Sequence, residues 1–316
     1  MIQSILQGGR ISLGEHRVLR PGRLRWLRAL VWMIALFFIC IAAFGTSMQI
    51  MQQIVPKSEQ ELRFLGHCAG VLIALGVYAL LVRLGEARLP SELALRPALQ
   101  ETLIGVALGA AMFAVVMAAL AGFGLYDITY LGPVSAWSAA GKAVEAGVVE
   151  ELAVRGIMLR LLWRAFGPAP AFFLSSLAFG GGHLFNQESS LLAAFAIMLE
   201  AGVMLGAFYA LTGRLWMSIG IHGAWNFTQG YLFGATVSGS DLGPAIARST
   251  ARADVPTWLS GGSFGPEASL PALVVCTAIG SAVLWRAWKL GNLTNRTDPE
   301  AAVVDPLPSP PASAHA

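Results

Sequence analysis

The run from about Trp137 to Trp163 is long and apolar enough to cross a bilayer, yet it carries Glu150-Glu151-Leu152-Ala153-Val154-Arg155 in its middle. Two adjacent carboxylates at membrane depth are costly unless they are paired, hydrated or used. On a helix, Glu151 and Arg155 stand at i and i+4 and can neutralise each other. Glu150 points roughly 100° away, on a stripe shared with Ala143, Ala146, Gly147 and Val154. Those residues are mostly small, so neighbouring helices can come close there. The spacing marks Glu151 with Arg155 as a structural pair and leaves Glu150 for chemistry.

The 316 residues are 56% hydrophobic and 12% charged, about half the charged share of a soluble domain. Several apolar runs reach the length of a membrane helix. The fold class expected is therefore all-α, a polytopic membrane helix bundle. A net charge of +3 is too small for nucleic-acid binding, and the basic residues instead mark cytoplasmic loops. Cys40, Cys68 and Cys276 all lie in or beside apolar runs. Their spacing fits neither a zinc site nor a disulfide framework, so they read as small buried hydrophobes.

Residues 1–26 form a basic arm with Arg10, Arg17, Arg20, Arg23 and Arg25, and residues 27–290 hold the membrane domain. Spans are expected near 27–48, 64–84, 101–122, 137–163, 171–183, 190–211, 215–233 and 269–288. The run after Arg28 outlasts the apolar core of a signal peptide. Residues 234–268 make the longest loop, rich in Gly, Ser and Pro, and residues 291–316 read as a disordered tail. Eight spans put both termini on one side. Basic residues gather on that side, which the positive-inside rule makes the cytoplasm. No internal repeat supports an inverted-repeat transporter.

Three more polar residues fall within spans. His183 follows Phe179 by four residues and ends the run Gly180-Gly181-Gly182, where close backbone approach suits a pocket. His222 and Asn226, at i and i+4, share one helix face, and Ser218 and Gln229 extend that stripe. At 1.5 Å per residue, Glu150 and His183 lie roughly 20 Å from the cytoplasmic ends of their spans, Asn226 about 18 Å and His222 about 12 Å. Four polar groups from three spans can thus converge near mid-membrane. A poorly solvated carboxylate suits a general base acting on water. A histidine can orient that water, and a His/Asn pair can donate to a carbonyl oxygen as it becomes an oxyanion. No serine or cysteine stands out as a nucleophile. Glu150, His183 and His222 are equally a catalytic zinc set with one position left for water, although His-Glu-x-x-His is absent.

The blocks Glu150-Glu151-x-x-x-Arg155, Phe179-x-x-x-His183 and His222-x-x-x-Asn226 resemble, in order, those of the CPBP family. That family comprises the CAAX prenyl proteases and bacteriocin-processing intramembrane peptidases, also called the Abi family. The resemblance covers roughly residues 100–235. The stretch Gly261-Gly262-Ser263-Phe264-Gly265-Pro266-Glu267 also looks like one in bacterial members, with no role assigned. The resemblance implies about eight transmembrane helices around a conical active-site cavity. It implies an endopeptidase with site residues Glu150, Glu151, His183, His222 and Asn226, and with Phe179 on the cavity wall. Glu150 would activate water with His183, while His222 and Asn226 would stabilise the oxyanion. The family is classed as metallopeptidase or as metal-free glutamate type, so the cofactor is either none or a zinc-like divalent metal. The implied partner is a membrane-associated peptide or protein within the lipid bilayer, with no nucleic acid, in a bacterial inner membrane. Two alternatives are a non-catalytic scaffold or bacteriocin self-immunity protein that keeps the core, and a small transporter using Glu150 as a proton carrier.

Overall fold

Without water to bond, backbone in a bilayer must satisfy itself, and the apolar runs do so as helices. The computed structural model describes residues 9–294; the ends, with most of the tail read as disordered, lie outside the described residues. The long helices are α1 (Arg25–Ile54), α2 (Gln60–Glu86), α3 (Ala98–Gly122), α4 (137–166), α5 (Pro168–Gly182), α6 (Leu191–Thr212), α7 (216–232) and α8 (Leu270–Lys289). Five of them, α1, α2, α3, α6 and α8, are long and apolar enough to cross a membrane. Phe38, Leu72, Leu80, Leu103, Val115 and Val274 are exposed on their outward faces, as lipid-facing helices require. The other three, α4, α5 and α7, hold or adjoin the polar residues singled out above. The α5 helix has only 15 residues, about 22 Å of rise, and stays helical through its three glycines.

At the centre, α7 packs against α3, α4 and α6. The α3 contact is backbone on backbone. A Cβ on Gly109 would lie 2.2 Å from the Ile221 carbonyl oxygen, and one on Gly220 would lie 2.4 Å from that of Thr102. The Gly105-x-x-x-Gly109 pair therefore does the packing that small residues do between membrane helices. The α4–α5 corner turns at Gly167, with φ +93°, and Pro168 opens the next helix, where its missing N–H costs nothing.

At the end of the bundle that holds Arg88 and Arg160, four charges are buried together. Glu86 accepts from Arg160 Nη1 and Nη2 at 2.8 and 2.7 Å and from Arg88 Nε at 2.7 Å. Glu92 accepts from Arg88 Nη1 and Nη2 at 2.8 and 2.9 Å and from the Tyr78 hydroxyl. Arg88 and Arg160 are thus consumed inside the protein rather than facing solvent. The basic arm also packs inward, burying Ile11, Leu13 and Leu19. Gly9 is held by its N–H on the Leu211 carbonyl and by Asn292 Nδ2 on its own.

Burial alone would push the Glu92 carboxyl up, but the Arg88 charge and hydrogen bonds prevail and hold it down at about 2. A carboxyl depressed from 4.5 stabilises the fold at neutral pH, and that stability drains away as pH falls from about 4.5 towards 2. Thermal unfolding in detergent should show Glu92→Gln melting below wild type at pH 7, with the gap narrowing on acidification. A gap that is the same at pH 7 and pH 3 would contradict this.

The 234–268 loop is not featureless. Its strand β2 (Ala247–Ala251) pairs antiparallel with β1 (Tyr126–Tyr130) from the α3–α4 connection, with Tyr126 opposite Ala251. A tight turn at Val237–Ser240 brings the loop onto the site.

Candidate active site

Glu150 and Glu151 occupy the last residues of α4 before its winding widens to a π-helical stretch, Leu152–Leu159. Such stretches recur beside functional residues, and α6 has another at Met198–Val203. Glu151 and Arg155 are both fully buried, and Arg155 Nη1 donates to Glu151 Oε1 at 2.7 Å. Arg155 Nη2 donates to the Ala201 and Gly202 carbonyls at 2.6 and 3.3 Å, inside the π stretch of α6. His222 Nδ1 meets Glu151 Oε1 at 2.9 Å. One buried ion pair therefore joins α4, α6 and α7 and fixes the His222 ring.

The other face of that ring is left for Glu150. His222 Nε2 lies 3.8 Å from Glu150 Oε2, and the Glu150 side chain is 40% exposed. Close packing of α4 on α7 makes this possible, since a Cβ on Gly147 would meet the Gly223 nitrogen at 2.9 Å. His183 follows the end of α5, and its Nδ1 bonds the Phe179 carbonyl at 2.8 Å. That bond requires a proton on Nδ1, so the neutral ring presents the Nε2 lone pair. The Phe179 ring lies 4.7 Å from the His183 ring and 6.3 Å from the His222 ring, centroid to centroid, with the Arg155 guanidinium 4.8 Å from its own centroid.

Glu150, His183, His222 and Asn226 all line one cleft of about 760 Å³. No hydrogen bond to another described residue occupies the Asn226 carboxamide. The cleft opens past Lys57, Trp137 and Lys142, at the end of the bundle opposite the Arg88–Arg160 network. Ser218 and Gln229 do not join the site. Ser218 donates to the Leu205 carbonyl at 3.0 Å, and Gln229 donates to that of Thr236 at 2.6 Å.

Among the described residues no three His, Cys, Asp or Glu side chains converge as a metal-ligand group. Glu150 and His222 come together, but His183 does not complete a set with them. One polar residue missed by the sequence reading stands close by. Glu200, on α6, is 2% exposed and lines a small cavity with His183 and His222. An acid within an apolar run was the signal that could have found it.

This is a helical membrane bundle in which a half-buried acid, two imidazoles and a carboxamide face one water-accessible cleft. Residues 132–228 match the family model described as Type II CAAX prenyl endopeptidase Rce1-like, and the match spans every residue of the three motif blocks. The match, which runs into α7, is consistent with the CPBP family and supports an intramembrane protease activity. No curated protein and no solved structure matches the chain.

Proposed function

We propose that the protein is an intramembrane endopeptidase that hydrolyses a peptide bond of a membrane-associated protein or peptide, with Glu150 as general base. The observation that carries this is the position of the His222 ring between two carboxylates, one locked by Arg155 and one open to the cleft. Glu150 takes a proton from a cleft water whose second hydrogen is held by His183 Nε2. The resulting hydroxide attacks the carbonyl carbon. The oxyanion accepts hydrogen bonds from His222 Nε2–H and the Asn226 amide. Serving as that donor, His222 carries both ring protons, with Glu151 holding the one on Nδ1. The C–N bond then breaks as Glu150 returns its proton to the leaving amine.

The reading is metal-free, and its support is that among the described residues His183 does not complete a ligand group with Glu150 and His222. Cleavage of a membrane-inserted reporter peptide by the liposome-reconstituted protein should withstand exhaustive chelation. Loss of activity on chelation and its return with zinc would contradict the scheme.

We infer that both termini lie on the cytoplasmic side of a bacterial inner membrane. The support is the gathering of arginines along 10–28, 83–96 and 160–164 at one end of the bundle. On that orientation the cleft opens to the extracytoplasmic face, and substrates reach it from there.

A further inference from the structure

Behind the floor of the cleft is a second cavity of about 40 Å³. It shares His183, His222, Asn226 and Ser238 with the cleft, so it lies against the groups assigned to the chemistry. Its walls are otherwise mainly apolar side chains from α6, α7 and α8, interrupted by Glu200 and Glu267.

The role of Glu267 is visible. Its Oε1 accepts from the N–H and the hydroxyl of Ser238, both at 2.6 Å. Ser238 has φ +49° and Gly239 φ +78°, the paired left-handed conformations of a tight hairpin turn. Glu267 thereby secures a non-glycine residue in a backbone region it would otherwise avoid. Gly265 makes the approach possible. Its φ is +131°, and a Cβ there would lie 2.2 Å from the Thr236 carbonyl oxygen.

Glu200 has no such account. Both of its carboxyl oxygens are buried and have no hydrogen-bond partner. A carboxyl left bare in an apolar wall is costly, and the open side of this one is the chamber. At about 10–15 Å³ for each water-sized occupant, the space holds roughly three heavy atoms.

Building on the endopeptidase reading, we infer that this chamber is the subsite for the substrate side chain beside the scissile bond, and that Glu200 selects a short hydroxyl side chain, serine or threonine. The hydroxyl donates to Glu200, and the apolar wall accepts the Cβ and, for threonine, the methyl group. Longer side chains do not fit, and an acidic one would add a second unpaired carboxyl to the apolar chamber. Sites built to bond a substrate hydroxyl discriminate against analogues that lack it, because their own polar group is then left unpaired.

The test uses the full-length protein in liposomes, incubated with a proteome-derived peptide library whose cleavage sites are mapped by mass spectrometry. Wild type, Glu200→Gln and Glu200→Leu are compared, with Glu150→Gln as the inactive control. Wild type should show at least about tenfold enrichment of Ser and Thr at one position flanking the cut. Glu200→Leu should lose that enrichment in favour of Ala and Val. Glu200→Gln, which keeps the side-chain shape, carries the test if the leucine variant fails to fold, and should weaken the enrichment. Wild-type cuts without the enrichment, or an unchanged preference in the folded variants, overturn the inference. So does a uniform fall in rate with the preference intact, which would make the chamber a water or proton site. Wild type cutting no more than Glu150→Gln would instead overturn the endopeptidase reading, and the subsite with it.

Discussion

Replacing Glu150 with glutamine should abolish measurable hydrolysis while leaving the fold unchanged. Removing a general base from proton transfer costs about 10²–10⁴-fold in rate, and the loss should appear in kcat rather than KM. Stability should hold because Glu150 is 40% exposed and its nearest charged partner, His222 Nε2, is 3.8 Å away. The amide preserves shape and removes the basicity together with the charge. The comparison requires kcat, KM and the unfolding temperature of the reconstituted protein. A variant with wild-type kcat would remove Glu150 from the mechanism.

Its neighbour should behave in the opposite way. Glu151→Ala leaves Arg155 as a fully buried cation without its counter-ion, a loss of about 3–5 kcal/mol when one partner of a buried pair is removed. The same change frees His222 Nδ1 and loosens the ring proposed to face the oxyanion, so activity and stability should fall together. Arg155→Ala should do likewise, since it also abandons the Ala201 and Gly202 carbonyls on α6. Glu150 and Glu151 thus separate chemistry from architecture within one dipeptide. Unfolding temperatures of Glu151→Ala and Arg155→Ala equal to that of Glu150→Gln would refute this division.

Much of this was legible in the chain because membrane burial is written directly into side-chain hydropathy. Each apolar run expected to span becomes a helix, and the i,i+4 rule placed Glu151 on Arg155 and Glu150 apart from them. The π-helical stretches at 152–159, 198–203 and 228–232 were not legible. They arise where helices pack on one another, as where Arg155 takes up carbonyls of α6, and no local pattern encodes that. The pairing of β1 with β2 was hidden for the same reason: Tyr126 and Ala251 meet only after four helices have intervened. Charge counting marks basic residues as cytoplasmic loops, yet Arg88 is buried between Glu86 and Glu92, a partnership that counting does not see.

The most direct test of the central claim is a quantitative comparison of membrane-protein termini in cells expressing wild type or Glu150→Gln at equal levels. The account predicts a discrete set of new termini, in or beside membrane-spanning segments, present with wild type and missing with the variant. Identical termini in the two strains would contradict it.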